Sequence, residues 1–398
     1  MVPKGWRRVK IQDACESIID CVNKTAPVVD YETPFKMIRT TNVRNGRVNT
    51  EDVRYVTEDT YQQWVRRGKP QVGDIIFTRE APVGEVGVLE DADGIFLGQR
   101  TMMYRADLNR SDNYYLFYSL LSSFCQKQIE DFSNGGTVAH MRVPDCGEIL
   151  INLPPLPEQK KIAQILSTWD KAITTTEQLL ANSQQQKKSL MQQLLTGKKR
   201  LLDKNGIRFG GKWKQYLLED LEELGWVELG RGKVISKKDI EKIPGNYPIY
   251  SSSVKNNGLM GMYGEYMFEE ELISWSVDGG GNFFYRPKHR FSITNVSGYM
   301  RITKEKLHYQ FIAAQLELHH SKLDFDYQSK AHPSVIRKIY NLAIPDIDEQ
   351  QKIAAVLTTA DQEITALQQK LDALKQEKKA LMQQLMTGKR RVKVEEAA

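Results

Sequence analysis

At 398 residues the chain exceeds what one ordinary hydrophobic core serves, and two or three domains are expected. Its 40% hydrophobic and 27% charged residues are ordinary for a soluble globular protein; no apolar run approaches the roughly 18 residues of a membrane helix, and no apolar segment follows the basic start MVPKGWRRVK, so neither a membrane span nor a signal peptide is read. The net charge of +6 is only a weak pointer to nucleic acid, because the excess sits in 154–211, with 10 basic against 4 acidic residues, and phosphate contacts elsewhere must come from local patches.

Residues 1–153 read as a first globular segment. Trp6, seven residues before Asp13, is expected to anchor its core. Short β-type runs such as Asp74–Thr78 and Val86–Leu89 are broken by Gly, Asn and Asp turns, and one amphipathic helix is expected over Asn113–Gln128. The cysteines Cys15, Cys21, Cys125 and Cys146 form no C-x-x-C pair and have no His at ligand spacing. No structural zinc is read from them, and reduced thiols of a cytoplasmic protein are expected.

A long helix is expected over 154–197. Pro154, Pro155 and Pro157 crowd its start, where proline is tolerated, and Gly197 follows its last apolar residues, where a left-handed glycine belongs. The basic, glycine-bearing, non-periodic stretch 198–212 reads as a linker. A second globular segment, 213–345, opens with Trp213 seven residues before Asp220 and carries β-type runs at Leu272–Trp275 and Tyr299–Ile302 and a helix at Leu307–Leu318. A second long helix over 346–388 and a tail over 389–398 complete the chain. Strand runs followed by a helix in each globular segment indicate α+β domains rather than a parallel βαβ sheet.

The chain is a duplication. Glu158–Arg200 and Glu349–Arg391 align without a gap at a constant offset of 191, with about half the positions identical. The first copy keeps a heptad at Leu166, Trp169, Ile173, Thr176, Leu180, Ser183, Lys187, Leu190 and Leu194. The second keeps it at Leu357, Ala360, Ile364, Leu367, Leu371, Leu374, Lys378, Leu381 and Leu385. A repeat of 3.5 residues held this long makes a coiled-coil seam. Two matching helices in one chain are expected to pack antiparallel, the first spanning ~57 Å at ~1.5 Å per residue. The globular segments are distant copies too. FKMIRTTNVRNG (35–46) pairs with NYPIYSSSVKNNG (246–258), and GDIIFTREAPVG (73–84) with EELISWSVDGGG (270–281). LGQRTMMYR (97–105) pairs with ITNVSGYMR (293–301), and SNGGTVAHMR (133–142) with SKAHPSVIR (329–337).

Catalytic motifs are missing. NLPPL (152–156) departs from the N-P-P-[YF] pattern of amine methyltransferases; Gly230, Gly232 and Gly279–Gly281 build no G-x-G-x-x-G, and no P-loop lysine follows a glycine-rich turn. His140 and His332 have no nucleophile or carboxylate at a recognisable spacing. Asp74 and Glu80 have no lysine at the spacing a nuclease needs. A fused nuclease or methylase is therefore disfavoured.

The EQxxIAxxL start and LMQQL(L/M)TGK end of each helix, with unlike domains before them, resemble the specificity (S, HsdS) subunit of type I restriction-modification systems. GDIIFTREAPVGEVGVL and SNGGTVAHMRVPD are similar to strings of that family's target-recognition domains, and the resemblance covers nearly the whole chain. It implies an α+β, pseudo-two-fold protein with two target-recognition domains separated by two long antiparallel helices forming a coiled coil. Each domain would read one half of a bipartite, asymmetric double-stranded DNA target. The helices would act as spacer and as dock for two methyltransferase subunits, with restriction subunits as further partners and no membrane. No cofactor is implied on this chain; S-adenosylmethionine, Mg and ATP belong to the partner subunits. The chain departs from some members in lacking a tandem four-residue repeat in mid-helix (TTTEQLLANSQ). The competing reading is a coiled-coil scaffold or adapter without sequence-specific DNA binding.

Candidate DNA-reading residues lie in three kinds of place, each weighed against an ordinary turn with solvated side chains. Arg39, Thr40, Thr41, Asn42 and Arg44, with Ser251, Ser252, Ser253 and Lys255 opposite, form polar runs after a strand. Thr78 and Arg79, with Ser276 and Asp278 opposite, lie where a strand enters a glycine turn. Gly135, Gly136, Thr137, His140 and Arg142, with Lys330, His332, Ser334 and Arg337 opposite, lie in loops where glycine permits close approach to phosphate. Gln99 and Arg100 suit a purine edge or a brace within the sheet. Lys187 and Lys378 interrupt the helical seam and mark either partner docking or, as preferred, lysine snorkelling.

Overall fold

The computed structural model describes residues 2–133, 139–253, 255–277, 282–323 and 331–394. The compact units cut across the linear segments. One is Met1–Glu177 with Lys370–Ala398, the other Gln178–Gln369. Each holds one α+β domain and a portion of both long helices.

In the first unit Arg7–Lys10 pairs antiparallel with Leu150–Leu153, so the domain closes on itself immediately before the helix begins. The main sheet runs Cys15–Asp20, Thr101–Ala106, Ile75–Arg79, Val83–Val88, all antiparallel. All five residues of Ile75–Arg79 are buried because both faces of this strand are covered. Alternation sends Ile75, Phe77, Met102 and Tyr104 to one core, beneath helix Asn113–Leu121. Ile76 and Met103 face the other, beneath a small sheet of Arg54–Tyr55, Lys36–Ile38 and Ile95–Leu97. The helix expected over Asn113–Gln128 is two, Asn113–Leu121 and Ser123–Ser133. The break is at Ser122, which is extended (φ −65°, ψ 148°) and whose hydroxyl donates to Ser119 O at 2.6 Å, the local side-chain bond that competes with helix continuation.

The second unit repeats this plan. Lys214–Leu217 pairs with Asn341–Ile344. The sheet runs Val227–Arg231, Ser297–Ile302, Phe268–Ser276, Phe283–Ile293, Tyr247–Tyr250, Leu259–Tyr263. The long strand Phe283–Ile293 takes the place of both Val83–Val88 and Ile95–Leu97. Near its end Ile249 lies parallel to Ser292, as Ile38 lies parallel to Leu97 in the first unit. The registers correct the sequence pairing by one residue: Thr78 opposite Thr101 matches Ser276 opposite Ser297, so Phe77 corresponds to Trp275.

The long helices are Leu156–Leu194 and Ile347–Met386, inside the expected bounds. Gly197 (φ 69°) and Gly388 (φ 66°) end them in the left-handed conformation. After each, an N–H reaches back, Lys199 to Gln193 O at 3.0 Å and Arg390 to Gln384 O at 3.2 Å. Every heptad position named above is buried or half-buried. In the first unit Glu158 pairs with Arg391 and Asp170 with Lys378; in the second Glu349 pairs with Arg200 and Asp361 with Lys187. As one number rises its partner's falls, so within each unit the helix segments run antiparallel. Lys187 and Lys378 therefore do not snorkel into water: Nζ of each meets an aspartate of the facing helix, at 2.6 and 2.5 Å. No helix among the described residues is long and apolar enough to cross a membrane.

Candidate nucleic-acid interface

Each domain is fastened to its helix start by the same parts. Glu158 accepts the Trp6 indole N–H at 3.0 Å and a two-pronged bond from Arg391 at 2.7 and 2.8 Å. Glu349 accepts Trp213 at 3.1 Å and Arg200 at 2.6 and 2.6 Å. The next residue clamps a domain loop. Gln159 accepts from Asp112 N and donates to Arg110 O and Pro154 O; Gln350 accepts from His308 N and donates to Lys306 O and Pro345 O.

The first polar run is divided by this structure. Asn42 is buried and fully engaged, accepting from Arg39 N at 3.0 Å and donating to Asn49 O and Asp52 O at 3.1 and 2.6 Å. It pins the turn. Arg44 folds back onto Thr40 O and Val43 O. Arg39 and Thr40 are half-buried, and Thr41 is exposed.

Thr78 and Arg79 are likewise engaged within the fold. The buried Thr78 hydroxyl donates to Pro82 O at 2.6 Å and accepts from Glu85 N at 3.0 Å, which fixes the turn between its two strands. The buried Arg79 guanidinium is neutralised by Asp20 at 3.1 Å and donates to Met141 O. A strand end is normally exposed, but this strand is central, flanked on both sides. Ser276, at the place of Thr78, is buried too, its Oγ without a partner among the described residues.

Three loops distant in sequence do meet. The Glu80 carboxylate takes Arg100 Nε at 3.0 Å and lies 3.5 Å from His140 Nδ1. Arg100 and His140 are largely exposed, Arg100 with φ 68°, so a cation and an imidazole are presented together. Gln99 is exposed and accepts from Thr25 at 3.2 Å. Arg142 is exposed but forks onto Asp145 at 2.7 and 3.0 Å at the start of a short helix. Gly135, Gly136 and Thr137 lie outside the described residues.

In the second unit Ser251 accepts a hydroxyl bond from Thr294 at 3.1 Å and Ser253 Oγ accepts from Lys255 N at 3.2 Å; Ser252 is half-buried and Lys255 exposed. Asn256 (φ 49°) and Asn257 (φ 52°) follow in the left-handed region, then Gly258 (φ 82°). His332 caps helix Pro333–Ile339, accepting from Ser334 N at 3.3 Å. Its counterpart is Arg142, not His140, because Met141 and Ala331 make matching backbone bonds to Arg79 and Val277. Arg337 meets Glu222 at 3.3 Å. Asp278 and Lys330 lie outside the described residues.

Nothing in the sequence singles out Arg286. The hydrophilic run RPKHR looks like a solvated strand end, and only the register reveals that this guanidinium is 4% exposed, lying 3.8 Å over the Tyr250 ring. It donates to Ser274 Oγ at 2.8 Å and to Asn257 O at 2.7 Å.

The comparisons with known proteins follow this architecture. The model of the type I restriction modification DNA specificity domain matches residues 3–183 and again 211–376, one match per copy. The putative type I restriction enzyme MjaX specificity subunit of Methanocaldococcus jannaschii is 25% identical over 98% of this chain and 95% of its own. A putative type I specificity subunit of Mycoplasma pneumoniae is 28% identical over 53% of this chain and 82% of its own. The crystal structure of the type I restriction-modification S subunit from M. genitalium superposes with a TM-score of 0.62 at 17% identity, covering 97% of this chain and 96% of that one.

Proposed function

The chain belongs to the type I restriction-modification DNA specificity family, and from that premise we propose that each of its domains reads one half of a bipartite, asymmetric DNA target. The long helices set the gap between the half-sites and dock two methyltransferase subunits. The observation that carries this reading is a shared frame with unlike faces. Both domains keep the same order of four central strands and the same Trp–Glu–Arg fastening, yet by register Arg39 and Arg100 of the first correspond to Ser251 and Val296 of the second. Two readers of different sequences on one repeated mount require this combination.

The chain itself performs no chemistry in this proposal. S-adenosylmethionine is bound by the methyltransferase subunits, which extrude the target adenine, and Mg and ATP by restriction subunits where these join. The continuous helices then serve as a ruler, as dimer geometry does in other bipartite readers.

Co-expression with the methyltransferase subunits, followed by mapping of methylated adenines, tests the proposal. One asymmetric bipartite motif is expected with the complex and no methylation with the chain alone. Methylation by the chain alone refutes the division of labour. A methylating complex without any bipartite motif favours the scaffold reading.

A further inference from the structure

The two sheets can be compared residue by residue through their registers. Ile76, facing Met103, corresponds to Ser274, facing Tyr299. Leu89, whose N–H bonds to Asp74 O, corresponds to Arg286, paired with Leu272. In the first unit Ile76, Leu89 and Met103 are fully buried in one apolar core. In the second the same places hold a serine, an arginine and a tyrosine.

The shared strand frame does not require an arginine here, since the twin position holds a leucine. An unpaired buried cation is costly, and natural cores avoid it. Arg286 has no carboxylate at ion-pair distance among the described residues, and burial pushes its guanidinium down to about 10. Nε and Nη2 are engaged by Ser274 and Asn257, while Nη1 has no partner among the described residues and is not sealed from water as Arg79 Nε is. The Tyr250 ring holds the plane flat. What remains is a preorganised fork beside the Asn257–Gly258 turn, short of one acceptor pair.

We propose that Arg286 is a target-contacting residue of the second domain, its fork completed by an acceptor pair of the bound duplex. This rests on the reading of the chain as a DNA-specificity subunit. Guanine O6 and N7 and a phosphodiester offer the same acceptor chemistry. The leucine in the twin domain favours the base edge, because phosphate contacts serve both half-sites alike.

The test uses the full chain in complex with its methyltransferase subunits and a duplex carrying the motif found for the wild-type complex. R286L, which installs the twin's residue, and R286M, which keeps a straight stem over Tyr250, are expected to fold with an unchanged or higher melting temperature. Both are expected to lose about tenfold or more in affinity for that duplex. At a guanine, R286K also relaxes one G·C position of the second half-site. At a phosphate, R286K restores binding, the motif is unchanged, and R286L lowers the salt slope by about 1. Wild-type motif, affinity and salt slope in a folded R286L or R286M overturn the proposal; so does failure of both to fold, which makes Arg286 a structural residue. A wild-type complex with no bipartite motif defeats the underlying reading as well, and is recognised before any variant is made.

Discussion

The indole N–H of Trp6 donates to Glu158 Oε2 at 3.0 Å across 152 residues, and Trp213 repeats the bond to Glu349 at 3.1 Å. Each glutamate opens one long helix and also receives an arginine that follows the other, Arg391 on Glu158 and Arg200 on Glu349. The arginine lies over the same tryptophan, 5.7 Å from the Trp6 ring and 5.6 Å from Trp213. A duplicated sequence folded antiparallel produces this exchange necessarily: the end of either copy lies beside the start of the other. The carboxylate is thus the joint of domain, helix start and facing helix end.

Removing that joint is expected to weaken the second unit more than the first. Glu349 is 1% exposed and Arg200 largely covered, whereas Arg391 is nearly half exposed and rehydrates more easily. E349A should cost about 3 kcal/mol and E158A about 2 kcal/mol, chiefly through the abandoned arginine and indole N–H. Urea titrations of the two variants followed by tryptophan fluorescence check the order; equal losses would mean that both arginines find water.

The seam lysines give a second prediction. Asp170 accepts Lys378 at 2.5 Å and the Tyr118 hydroxyl at 2.6 Å. K378D places two carboxylates together and should destabilise by about 1–2 kcal/mol. D170K/K378D restores the attraction but not the tyrosine bond, so recovery should be partial. Asp361, the partner of Lys187, has no such tyrosine among the described residues, and D361K/K187D should recover more completely. Two double-mutant cycles measure the difference.

How much of this was legible beforehand follows from what each feature depends on. The helices were, because heptad, prolines and end glycines are local signals. The antiparallel pairing followed from duplication. The fates of Thr78, Arg79 and Asn42 were not, because burial of a strand end depends on which strands flank it, and sequence does not state the sheet order. Arg286 was hidden for the same reason. The break at Ser122 was masked by an unbroken apolar pattern, and Asp170 was invisible as Lys378's partner until the facing helix had a register.

The end glycines should differ in their tolerance of alanine. Both need the left-handed region, which costs alanine about 1 kcal/mol. At Gly197 an added Cβ would meet the Trp213 ring at 3.5 Å, an ordinary contact; at Gly388 it would meet Pro3 Cγ at 2.4 Å. G388A should therefore lose clearly more stability than G197A in thermal melts. Equal losses would show that the Val2–Gly5 segment yields at no cost.

The ruler reading makes the most exacting demand. Four residues inserted in one helix alone would shift its heptad against an unaltered partner and disturb the seam. Insertions at Thr176 and at its repeat counterpart Leu367, 191 positions on, keep the copies matched. Each helix then grows by ~6 Å, nearly two base pairs of duplex at ~3.4 Å each. The lengthening also turns the helix by about 40° beyond a full turn at 3.6 residues per turn, while two base pairs turn the duplex by roughly 70°, so some activity should be lost to the mismatch. Sequencing of methylated adenines with the doubly inserted chain should return the original half-sites at a wider gap. Unchanged half-sites at an unchanged gap would mean that the partner subunits, not these helices, set the distance.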